Sequence, residues 1–244
     1  MISDILTIIW KELKEILFQR GRFRGGWLGM VFFVLVFGIF MPLQSGPDWV
    51  SSPIGLIYWA WIPFLLVSGI VADTFAGERE RHTLETLLAS RLSDRAILFG
   101  KLFTAILYGW GFTVLSMLIS LVTVNIAHGQ NGLLLYPLDI GAGILALSFL
   151  IAGLSAGLGV LVSLRASTVR QAQQTFSIAF FAIFILIFAL PMLPASLQLR
   201  LVQLVSKANV TAIVAAVAAA LVILDIILVG LGMIRFKRDR LILD

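Results

Sequence analysis

The sequence contains no cysteine and only two histidines. Without cysteine there can be no disulfide, no thiolate metal site and no cysteine nucleophile. Charge is scarce as well: 13% of the residues are charged, against roughly 25% in a soluble domain. A nucleotide-binding G-x-x-x-x-G-K-[ST] loop is also absent. Gly100 and Lys101 are followed by Leu102 and Phe103, and Arg95 stands where the first glycine of that loop would be needed. The chain therefore lacks the backbone cradle that holds nucleotide phosphates. No Ser-His-Asp set, H-E-x-x-H helix or carboxylate pair stands out. No catalytic or metal residue is assigned, and the chain does not read as an enzyme.

What is present is apolar sequence. Hydrophobic residues make up 60% of the 244 positions, and the mean hydropathy is +1.04. Runs long enough to cross a hydrocarbon core of about 30 Å recur along the whole length. They predict six transmembrane helices, over residues 27–43, 54–75, 97–126, 138–164, 176–193 and 211–234. The third and fourth exceed what a bilayer needs, so their ends are expected to tilt or project into water. Ahead of the first span, Ile2, Ile5, Leu6, Ile9, Leu13, Ile16 and Leu17 recur at helical spacing, with Asp4, Lys11, Glu12, Lys14 and Glu15 between them. That pattern predicts an amphipathic helix lying along the membrane surface, not a cleavable signal. The fold class is thus an all-α polytopic membrane protein, one domain over 1–244. An interfacial helix and linker occupy 1–24, a polar loop 77–96 and a basic tail 235–244.

The net charge of +5 does not point to nucleic acid, because the basic residues are sorted by side. Sixteen of the eighteen Lys and Arg residues precede span 1, lie between spans 2 and 3 or 4 and 5, or follow span 6. Only Arg200 and Lys207 fall on the other side. The positive-inside rule places both termini and the 77–96 loop in the cytoplasm of a cell (inner or plasma) membrane. His82 and His128 then lie on opposite sides and cannot share a metal. Short loops, 44–53, 127–137 and about 194–210, face outward. The last of these is apolar enough to form an interfacial or re-entrant helix. Trp49, Tyr58, Trp59 and Trp61 are expected in an aromatic belt at the outer interface.

The densest charge lies in the stretch FAGERERHTLETLLAS, Phe75 to Ser90. From Thr83 on, Leu84, Leu87 and Leu88 share one helical face, and Arg81 and Glu85 have the i,i+4 spacing of an ion pair. Thr83 is the expected cap of this short helix and Ser93 of the next, with Leu92 and Ile97 as its hydrophobic staple. Deep in span 6, Asp225 lies ten residues before Arg235, about 15 Å along a helix. It reads either as a cation, proton or substrate contact or as a hydrogen-bonded packing acid. Gly153 and Gly157 form a G-x-x-x-G that lets helices approach closely, within the chain or at a dimer seam. Gln171, Gln173 and Gln174 are expected to solvate the start of span 5.

The run from Glu78 to Lys101, ERERHTLETLLASRLSDRAILFGK, resembles the cytoplasmic loop of ABC-2-type transporter permeases. Their usual form is E-R-E-x-G-T-L-E-x-L-L, followed by a Pro, a Ser-Arg-like step and I-L-x-G-K. His82 stands where the family has Gly, and Arg91 where Pro is common. The surface helix, six spans and the basic tail fit the same family, whereas the Glu-Ala-Ala signature of classical importers is absent. The resemblance implies a coupling helix that docks on a separate ATP-binding subunit. Glu78, Arg79, Glu80, Arg81 and Glu85 would supply charge contacts, Thr83 the cap, and Leu84, Leu87 and Leu88 the packed face. It further implies that ATP and magnesium bind the partner and not this chain, that two identical permease chains pair in the lipid bilayer, and that a substrate is exported. The alternatives are a membrane subunit that uses an ATPase for signalling or envelope remodelling, or an integral membrane enzyme.

Overall fold

The computed structural model describes residues 2–18, 31–53, 55–189, 194, 196–197 and 210–236. Among them there are helices and turns but no strand. The predicted amphipathic segment forms α1 (Ile2–Phe18). The first span is described as α2 (Val31–Ser45), whose middle, Val34–Phe40, widens to π geometry. Residues 27–30 of the predicted span lie outside the described residues. After a single turn at Asp48–Ser51 comes α3 (Gly55–Thr74), and α4 (Ala76–Glu80) continues it past a break at Phe75. A turn leads to α5 (Leu84–Leu88), then to α6 (Asp94–His128), α7 (Leu138–Ser163), α8 (Val169–Ala189) and α9 (Val210–Arg235).

Among the described residues, four helices are long and apolar enough to cross a membrane: α3 with α4, α6, α7, and α9 from Thr211. Their boundaries follow local chemistry. At the start of α6 the Ser93 hydroxyl accepts from the Ala96 N–H at 3.3 Å, as its position predicted. Leu92 and Ile97 meet in one apolar cluster behind that cap. Helix α8 begins seven residues before the predicted span, so the three glutamines lie within its first turns. The predicted outer helix near 194–210 and the basic residues of 20–24, 200–207 and 237–240 lie outside the described residues, Pro194, Ser196, Leu197 and Val210 excepted.

The longest interface joins α3 to α7; α9 lies on α7, and α1 and α2 lie along α6. Among the described residues two large apolar cores result, with a small alanine cluster beside them. At the end bearing the charged loop, Val67, Val71, Phe75, Ile97, Leu98 and Val160 pack together with Ile8 from α1. At the far end, Trp49, Trp59, Ile62, Val124, Ile140 and Ile144 form the second. This corrects part of the expected aromatic belt. Trp49 and Trp59 are buried at 4% and 0% exposure and meet edge-on at 6.0 Å, whereas Tyr58 stays 42% exposed. Both indoles pack between α3, α6 and α7, where they bury a large apolar area.

Candidate functional site

The charged loop is less of a loop than its sequence suggests. Helix α3 breaks at Phe75, which frees backbone N–H groups, and Ser163 at the end of α7 takes them up. Its hydroxyl oxygen accepts from Phe75 N at 3.1 Å and Ala76 N at 2.9 Å and donates to Ala72 O at 3.1 Å. The chain then continues helically, so Glu78 points back into the protein.

There it meets Lys101. The lysine side chain is 1% exposed, and its ammonium donates to Glu78 Oε1 at 2.8 Å, Glu12 Oε1 at 3.1 Å and Thr74 O at 3.2 Å. It also lies 5.3 Å from the centre of the Phe75 ring. A lysine buried this deeply is tolerable only with its donors satisfied and its charge matched. Two carboxylates and a carbonyl supply that match, and they come from α1, α3 and α4. The junction therefore ties the surface helix to the start of the charged stretch. Glu78 is thus corrected from a docking charge to an interior one: it is 6% exposed.

The next residues are also spoken for. Arg79 donates from Nη1 to Ala166 O at 2.7 Å and from Nη2 to Leu164 O at 3.1 Å, covering carbonyls left open where α7 ends. Glu80 Oε2 accepts from Val169 N at 3.0 Å, the first residue of α8. Each of these neighbours thus meets the helix end whose dipole matches its charge. Arg81 pairs with Asp73 at 3.5 Å, not with Glu85 as its spacing suggested.

His82 has φ +57°, the left-handed region that favours glycine and admits few side chains. Thr83 holds the N-cap position of α5, but its hydroxyl donates to Glu78 O at 3.3 Å and does not cap the helix. Leu84 is buried and Leu87 packs against the same cluster, so this leucine face is also turned inward. The Leu88 side chain lies outside the described residues. Left exposed on this surface are His82, Thr83, Glu85, Thr86, Ala89 and Arg91.

Asp225 and the G-x-x-x-G come together, which the sequence did not indicate. A Cβ on Gly153 would lie 2.8 Å from Asp225 Oδ2, and one on Gly157 would lie 2.9 Å from Leu228 Cβ. The two glycines face α9, and the carboxylate rests in the groove that Gly153 leaves. Asp225 Oδ1 is buried with no hydrogen-bond partner among the described residues.

Sequence reasoning missed Glu12 and Lys101 as a pair. The available signal was a lysine inside an apolar run, which demands an acid, although nothing local says which one.

No curated protein matches the chain. A family model described as ABC-2 type transporter matches residues 3–212, from α1 to the start of α9 and including the whole charged junction. With an apolar helical bundle matched over most of its length, the chain belongs to the ABC-2 type transporter family as a membrane permease.

Proposed function

We propose that the chain is the membrane half of an ATP-driven exporter, docking a separate ATP-binding subunit through the exposed side of α5. Two identical chains would form the pathway, each with six spans and both termini in the cytoplasm. The observation that carries this reading is how α5 is mounted. Its outer side offers Glu85, Thr86 and the nearby His82 and Arg91, while Leu84 and Leu87 are packed into the core. A push on such a helix cannot be absorbed locally. Arg79 and Glu80 pass it to the turn between α7 and α8, and Lys101 passes it to α1. Closure of the ATPase pair would move these elements as a body, the kind of rigid-body step that switches access between two sides.

Co-expression with the cognate ATP-binding subunit tests this. Wild type should co-purify with the ATPase and alter its turnover. Glu85→Arg, which reverses an exposed charge on α5, should weaken co-purification by about tenfold or more, the equivalent of roughly 1.4 kcal/mol. Unchanged co-purification with a charge-reversed α5 would show that docking lies elsewhere.

A further inference from the structure

The connection from α6 to α7 does not stay at the end of α6. After the turn at Gly129–Asn131 the chain runs back beside the helix it has just left. Asn125 meets Leu134 twice: its Nδ2 donates to Leu134 O at 2.8 Å, and its Oδ1 accepts from Leu134 N at 2.8 Å. Further on, the Tyr136 hydroxyl shares a hydrogen bond of 2.8 Å with Ser120 Oγ. Asn125 and Ser120 stand about 7.5 Å apart along α6. The step from Leu134 to Tyr136 covers about 7 Å when extended, so the chain here descends along α6 toward the middle of the bundle.

Side chains in this stretch alternate. Leu134 and Tyr136 pack against the far core, whereas Leu133, Leu135 and Leu138 are 76%, 59% and 89% exposed. Leu138 also opens the exposed face of α7, followed at helical spacing by Ala142, Leu145 and Phe149. On a helix that crosses a bilayer such a face meets acyl chains, and Leu135 and Leu133 prolong it along the chain beyond the helix.

Depth agrees with this. Helix α6 has 35 residues, about 52 Å, against a hydrocarbon core of about 30 Å. Counted from Lys101, about 30 Å of helix ends near Val122. Residues 133–136 lie between the levels of Asn125 and Ser120, which puts them at that boundary and not in bulk water. Backbone that enters this zone needs its polar groups paired. Asn125 pairs both groups of Leu134 as a neighbouring strand would, and Pro137 has no N–H to satisfy.

We infer that residues 133–138 form an apolar finger immersed in the leaflet remote from the charged junction. Leu133, Leu135 and Leu138 lie against acyl chains, and Asn125 is the clamp that lets the backbone enter. The partner is the lipid itself. This requires that the chain span a bilayer, but neither the docking of an ATP-binding subunit nor a given orientation of the bundle.

The test uses single nitroxide labels on the full chain in lipid nanodiscs, at Leu133→Cys, Leu135→Cys and Leu138→Cys. Gln130→Cys serves as the water reference and Leu145→Cys as the lipid reference. Collisions with oxygen, which concentrates in lipid, and with a neutral nickel chelate, which stays in water, report depth. The three finger labels are expected to favour oxygen as Leu145→Cys does, about 5–10 Å into the boundary between headgroups and acyl chains. Gln130→Cys should favour nickel. Asn125→Ala, which strips both partners from Leu134, should shift the Leu135→Cys label toward nickel; an unmoved label overturns the role given to Asn125. If Asn125→Ala does not run as a single species in gel filtration, the labels in the otherwise unchanged chain still decide the point. Nickel preference at Leu133 and Leu135 equal to that at Gln130 puts the stretch in water. Labels shielded from both reagents mean that protein covers it. Either result overturns the inference.

Discussion

Lys101 is the residue on which the charged end depends. Replacing it by methionine leaves Glu12 and Glu78 facing one another without a cation, in a place 14% and 8% exposed respectively. Breaking a buried pair by removing one partner costs about 3–5 kcal/mol, because the remaining charge stays behind. Lys101→Met should therefore lower the melting temperature in detergent clearly, and adding Glu12→Gln and Glu78→Gln should recover most of the loss. A melt unchanged by Lys101→Met would mean that the ammonium contributes nothing net. Little of this was legible beforehand. Sequence order showed where charge is dense, but Glu12 and Lys101 are 89 positions apart and Arg79 finds its carbonyls 85 and 87 positions away. An arginine on a helix end and an arginine awaiting a partner look identical in one dimension. His82 is a partial exception. Its place, glycine in the resembling family, coincides with the positive φ, so the departure marked a real backbone demand.

At the scale of elements, α1 approaches α6 most closely at one glycine. A Cβ on Gly100 would stand 2.6 Å from Ile8 Cγ2 and 2.7 Å from Ile8 Cβ, so α1 seats on α6 only because that side chain is missing. Gly100→Leu should lift α1 away, measured as faster amide hydrogen exchange over residues 2–18 with the core of α7 still protected. Equal exchange in both proteins would show that α1 is held by other contacts. The apolar period of α1 was plain in sequence, and Ile2, Leu6 and Trp10 do form an exposed stripe. What periodicity could not assign was Glu12, which falls on the face turned to α6. The long helices were equally legible, since twenty or more apolar residues in a row permit little else. Their true starts depended on caps: Ser93, three residues before the N–H it accepts from, was readable, but Glu80 at the head of α8 was not.

For the whole molecule, the missing cysteines are an experimental asset. A single cysteine can be placed anywhere without background. With Glu85→Cys and Gln130→Cys made separately, the orientation proposed above predicts that a membrane-impermeant maleimide labels only the second in intact cells. The reverse pattern would invert the bundle. The Lys101 junction also imposes an order on biosynthesis. Glu12 leaves the ribosome 89 residues before its lysine exists. Until α6 has been made, α1 must wait with only Lys11 beside that acid, and the arrival of α6 is what supplies the buried lysine that seats the first helix of the chain.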